Sequence, residues 1–184
     1  MALPPRWRKF LPILLSLLAG CATTNDFGCD AHESRMRDTK PVTTYQTVKP
    51  KPGQAAPRTL PAGSLPQVPT YTLSFKPGFT KPCTTITLNK DVVILKSDDN
   101  DVSLSEIREF YAEDGTLITS ATQNINDQVK RSGIYLATTP LPIPRNAPPG
   151  KYKIVSKLQA ERRGDRRPIP VARAEGFFYI IPPK

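Results

Sequence analysis

The chain has 184 residues, with 26 lysines and arginines against 16 aspartates and glutamates, one histidine, three cysteines and 21 prolines. That length holds one domain with appendages rather than two full cores. Proline at about twice its ordinary frequency excludes an all-helical bundle, since each interior proline removes a donor and clashes with the preceding turn.

Residues 1–20 read as a signal peptide. Arg6, Arg8 and Lys9 make a basic start, and the apolar run from Phe10 to Leu18 falls short of the ~20 residues a bilayer span needs. Leu18-Ala19-Gly20-Cys21 follows, and it resembles the lipobox of bacterial lipoproteins processed by signal peptidase II. The resemblance implies cleavage before Cys21, a diacylglycerol on its sulfur and acylation (palmitate or a similar chain) of the new amine. Two or more acyl chains on one residue give stable attachment, where one gives only marginal binding. Ala22, in place of the aspartate that retains enterobacterial lipoproteins at the inner membrane, implies an outer-membrane address; a periplasm-facing domain is the expectation, with a surface-exposed one as the alternative. Loss of the three basic residues of the leader lowers the formal charge from +10 to +7.

Cys29 and Cys83 then remain in an oxidising compartment, and two is the number a disulfide requires. The alternative is a pair of free or intermolecular thiols. Cys29-Asp30-Ala31-His32 places ligand-type residues three apart, but no second pair follows downstream, so no metal site is expected there.

Residues 21–69 read as a lipid-anchored, proline-rich tether. Residues 22–40 are polar, and prolines then fall at 41, 50, 52, 57, 61, 66 and 69 among Thr, Lys, Gln, Gly and Ala. Such a composition buries too little apolar surface to offset its ordering entropy, which predicts a disordered spacer. At about 3.1 Å per residue, some thirty residues of it reach roughly 90 Å.

From Thr70 the period changes to two. Tyr71, Leu73 and Phe75 alternate with polar residues, and Pro77-Gly78 marks a turn. Thr85–Leu88 and Val92–Leu95 read as strands separated by a turn at Asn89-Lys90-Asp91, and Asp98 to Asp101 ends the second. Glu106–Tyr111 and Thr116–Thr119 flank Asp114-Gly115, the signature of a hairpin. Ser103-Leu104-Ser105-Glu106 also fits a helix capping box, leaving a short helix over 103–111 as the alternative. Gly133–Thr138, Lys151–Leu158 and Val171–Ile181 complete the set.

About seven short strands over residues 70–184 predict an all-β antiparallel sandwich. No proline occurs between Cys83 and Thr139, where central strands need every amide donor. Pro148-Pro149-Gly150-Lys151-Tyr152 resembles the approach to a late strand in bacterial Ig-like and fibronectin-like domains. The resemblance implies an Ig-like fold in which the Tyr152 hydroxyl bonds back to the corner; simple core packing of Tyr152 is the alternative.

No nucleophile–base pair is legible, and the one histidine, His32, falls in the tether, so no enzyme is expected. Glycine-rich phosphate loops and paired-cysteine zinc patterns are absent from the sequence, and no cofactor is implied. Glu106, Glu109, Glu113 and Asp114 read as a solvated strand face and a turn. Asp98 to Asp101 offers oxygen ligands suited to calcium but lacks the spacing of a calcium loop, so a turn is expected.

The basic group Lys157, Arg162, Arg163, Arg166, Arg167 and Arg173 is the most distinctive surface feature. Arg162, Arg163, Arg166 and Arg167 fall on the tip between the last two strands, where they could meet an anionic ligand such as acidic polysaccharide. Charged tips also discourage edge pairing, which is the plainer role. Nucleic acid is not expected in this compartment.

The expected function is a non-catalytic protein-interaction module of an envelope assembly, held at the membrane by its lipid anchor. The alternatives are a lipoprotein that binds peptidoglycan or acidic polysaccharide, and a component of a secretion or conjugation machine. For the last, Asn25-Asp26-Phe27-Gly28-Cys29 resembles the stretch after the lipidated cysteine of conjugation-type lipoproteins, although their later cysteine is absent here.

Overall fold

The computed structural model describes residues 26–38, 40–98, 101–165 and 167–182. The leader with Cys21 and Ala22, and also Asp99, Asn100 and Arg166, lie outside the described residues. A helix, α1 (Asp26–Asp38), precedes nine strands: β1 (Thr44–Val48), β2 (Gln67–Lys76), β3 (Phe79–Thr80), β4 (Thr85–Leu95), β5 (Val102–Tyr111), β6 (Leu117–Asn124), β7 (Gly133–Pro142), β8 (Gly150–Arg162) and β9 (Ile169–Ile180).

A four-stranded sheet, in order β1-β7-β4-β2, faces a five-stranded sheet, in order β3-β9-β8-β5-β6. Every pairing is antiparallel except the short one of β3 with β9. Period-two alternation fills the space between the sheets. Ile86, Leu88, Val92 and Ile94 point inward from β4, and Ile154, Leu158 and Ala160 from β8. These residues fall into two apolar clusters. One gathers Val92, Ile94, Leu104, Ile125, Tyr135 and Leu158; the other gathers Ile86, Leu88, Leu141, Ile154, Phe178 and Ile180.

The turns follow local chemistry. Gly115 adopts φ of 85°, which an L side chain rarely tolerates, at the β5–β6 hairpin. The Tyr152 hydroxyl donates to the Pro148 carbonyl at 2.6 Å, and its ring stacks on Phe178 at 5.4 Å. Residues 103–111 form a strand, not a helix, because Leu104, Glu106 and Arg108 all point inward at period two.

The segment expected to be a disordered tether is corrected in two places. Residues 26–38 form α1, and Thr44–Val48 pairs with Ile134–Thr138 as the edge strand of the smaller sheet. Pro41 and Pro50 bracket β1 rather than interrupt it, and buried Tyr45 attaches it to the core. The proline-rich run from 49 to 66 is the crossover from one edge of that sheet to the other. It is pinned where Leu60 is buried and donates its N–H to the Lys96 carbonyl at 3.0 Å.

The expected turn at Asn89-Lys90-Asp91 is also corrected, since β4 runs through it without a break. Lys90 takes the inward position between Leu88 and Val92, so the period of two holds once a buried lysine is admitted. Glu106, expected on a solvated face, is fully buried as well.

Candidate functional site

Lys90, Glu106 and Ser156 occupy the inward positions between the two apolar clusters, on β4, β5 and β8 respectively. Burying either charge alone would cost several kcal/mol, so each must find partners. Lys90 Nζ donates to Glu106 Oε1 across the sheets and lies 3.0 Å from Thr43 Oγ1. The Tyr45 hydroxyl donates to Glu106 Oε2 at 3.1 Å. The Tyr71 hydroxyl lies 2.6 Å from Ser156 Oγ and 3.3 Å from Glu106 Oε1. Arg108 closes the layer: it donates to Thr43 Oγ1, to the Pro41 carbonyl at 3.0 Å and to Gln123 Oε1 at 3.3 Å.

The titrations follow from that enclosure. Burial pulls the Lys90 ammonium down to about 8, although the facing carboxylate opposes it. Burial alone would raise the Glu106 carboxyl; attraction by Lys90, with hydrogen bonds from Lys90 and Ser156, outweighs it and holds the group below its ordinary value. Burial and then the Glu106 charge push both Tyr45 and Tyr71 well above the usual phenol range. The layer joins residues of β2, β4, β5 and β8 and fixes how the sheets face each other. Sequence reasoning missed it because Lys90 reads as part of a turn and Glu106 as part of a solvated strand face.

The expected cysteine pair comes together. Cys29 on α1 is joined to Cys83, with Cα atoms 5.0 Å apart. The Ile143 carbonyl receives the Cys83 N–H at 3.0 Å and His32 Nε2 at 3.1 Å. Arg145 pairs with Asp30. Thus His32, read as part of a loose tether, is buried and helps to seat the helix.

α1 lies beside an open stretch of sheet edge. β1 covers β7 only as far as Thr138. Beyond it, Ile143 N–H points at Thr84 of the β4 side, so Pro140 and Pro142 place their donor-less nitrogens toward the open side. Between that edge and the helix runs a groove of about 460 Å³. Met36, Val42, Pro140 and Pro142 give it apolar walls, and Arg35 and Lys40 add cations; no carboxylate lines it among the described residues.

The arginine tip is divided. Arg162 Nη2 donates to the Gly63 carbonyl at 2.7 Å, which ties the crossover loop to β8. Arg163 and Arg167 are exposed, and neither has a carboxylate within ion-pair distance among the described residues. Arg166 lies outside them. No group of three or more metal-type ligands occurs among the described residues, which include Asp98 and Asp101 of the acidic run. No helix among them is long and apolar enough to cross a membrane.

No family model matches the chain, and no curated protein matches it. Among solved structures it is similar to the C-terminal domain of wzt (TM-score 0.44, 13% identity, covering 79% of this chain and 80% of that one). It is similar also to the ASH or PapD-like domain 7 of human CEP192 (TM-score 0.38, 13% identity, 70% and 93%). A third likeness is to a CARDB domain from Pyrococcus furiosus in complex with di-metal ions (TM-score 0.37, 13% identity, 63% and 89%). These likenesses concern architecture alone; the chain's own two sheets make it a β-sandwich, antiparallel except for the short pairing of β3 with β9.

Proposed function

We propose that the chain is an outer-membrane lipoprotein, anchored through Cys21 and facing the periplasm, whose sandwich is a non-catalytic protein-interaction module of an envelope assembly. The groove beside α1 carries the interaction reading. A polar helix is held to a sheet edge by a disulfide, a histidine–carbonyl bond and an ion pair, and it forms one wall of the groove. Met36, Val42, Pro140 and Pro142 offer apolar contact, while Arg35 and Lys40 favour an acidic protein segment. Lys90 and Glu106 have fully enclosed side chains, which keeps substrate away from the most perturbed ionisable pair.

The anchor rests on Leu18-Ala19-Gly20-Cys21. Cys21→Ser is expected to abolish processing and release the protein from the membrane fraction. Unchanged processing and attachment would remove the lipoprotein reading. Chemical crosslinking in the native envelope is expected to recover a recurring protein neighbour, and its absence would count against the interaction module.

A second reading, binding of anionic polysaccharide, is favoured by the exposure of Arg163 and Arg167 at the far tip. Replacing Arg162, Arg163, Arg166 and Arg167 by serine should then abolish sedimentation with purified sacculi. Sedimentation that persists would eliminate it.

A further inference from the structure

The disulfide-tied helix α1 begins only a few positions after Cys21, where the sequence suggests a long spacer. Only four residues lie between Cys21 and Asp26, so the five chain steps reach at most about 17 Å. Cys29 follows within the first turn of α1, and its disulfide seats the helix on the loop that carries Cys83. That loop marks one end of the sandwich: β4 starts there, β7 and β9 finish there, and β8 begins. Phe79 lies four residues before Cys83, so it is at most about 14 Å away.

The surface near this end is unusual for a face left to water. Phe178 and Ile180 point into the core, so Phe177 and Tyr179 point out. Phe79 pairs beside Tyr179 and is 63% exposed; Tyr179 and Phe177 are 49% and 45% exposed. Lys151 and Lys153 on β8 stand opposite Tyr179 and Phe177. Lys151 Nζ sits 4.3 Å from the Phe177 ring centre, and Lys153 Nζ 5.0 Å from that of Tyr111. Neither ammonium has a carboxylate within ion-pair distance among the described residues. Glu109 and Glu175, on the same face, are already taken by Lys157 at 2.7 Å and Arg173 at 3.0 Å. Aromatic rings with adjacent lysines suit the boundary between acyl chains and anionic head groups.

We propose that Phe79, Phe177, Tyr179, Lys151 and Lys153 form a membrane-contact surface that rests on the anionic bilayer holding Cys21. This rests on the lipid-anchor reading above, because the short link from Cys21 brings this end within reach. The contact orients the domain. β8 runs from Gly150 at this end to Arg162 at the other, and its thirteen residues span about 43 Å. The arginine tip therefore points away from the anchoring membrane.

The test uses the full chain in native membranes, with a photoreactive phenylalanine analogue at position 79 or 179, and at 163 for comparison. The expected result is a phospholipid adduct at 79 and 179 and none at 163. Protein adducts or no adduct at 79 and 179, while attachment still depends on Cys21, would overturn the contact surface alone. Equal lipid adducts at 79 and 163 would overturn the orientation. Attachment unchanged in Cys21→Ser would remove the anchor, and with it the reach on which this surface depends.

Discussion

Lys90 on β4 and Glu106 on β5 pair between the two sheets with both side chains fully buried. The pair divides the apolar core in two, and Thr43, Tyr45, Tyr71 and Ser156 occupy the remaining hydrogen-bonding positions around it.

Removing one partner leaves the other charged and enclosed. Lys90→Met or Glu106→Gln is expected to destabilise the sandwich by about 3–5 kcal/mol, read from urea unfolding midpoints. The double variant should cost less than the sum of the two, because no unpaired charge remains. Additive losses would mean that the two groups do not depend on each other.

Acid should weaken the same layer. The Glu106 carboxyl is held below its ordinary value in the folded state, so the unfolded chain binds a proton more readily. Its stabilisation is present above the ordinary carboxylate range and is lost as pH falls through the lowered folded value. The stability gap between the native chain and Glu106→Gln should thus narrow as pH falls below about 4.5. A gap that widens on acidification would contradict the sign of the shift.

The part of the fold written in period two was legible. The β5–β6 hairpin followed from Asp114-Gly115, and β8 and β9 from alternating lysine, aromatic and aliphatic residues. The buried layer was not, because nothing local marks Lys90 and Glu106 as partners on different sheets. β1 was hidden by averaging: five residues with one large apolar side chain, Tyr45, lie between Pro41 and Pro50. α1 lacks an apolar stripe, since its attachment comes from Cys29, His32 and Asp30. Those ties form only once residues 83, 143 and 145 are folded, so the groove could not be read from sequence.

The disulfide closes a loop across 54 positions that includes β1 and the crossover. Cys29→Ser is expected to lower stability by about 2–4 kcal/mol. It should also make α1 sensitive to trypsin at Arg35 and Arg37 while β4 to β9 stay resistant. Protection of α1 without the bridge would show that His32 and Arg145 suffice to seat it.

Gly176 marks the close approach of β9 to β2. A Cβ built there would meet Phe75 Cε2 at 2.9 Å and Leu73 Cβ at 3.2 Å. Gly176→Val should force these side chains aside and cost about 1–3 kcal/mol in thermal or urea unfolding. An unchanged midpoint would indicate that the β2 edge moves freely.

Docking of a protein partner in the groove between α1 and β7, as proposed above, can be tested directly. A photoreactive residue replacing Met36 in the groove, compared with one replacing exposed Leu136 on the outer side of β7, tests it in intact envelopes. Docking there should give a discrete protein adduct of one size from position 36, lost when Cys29→Ser releases the helix, and none from position 136. The absence of any protein adduct from position 36, with the protein folded and membrane-attached, would contradict it.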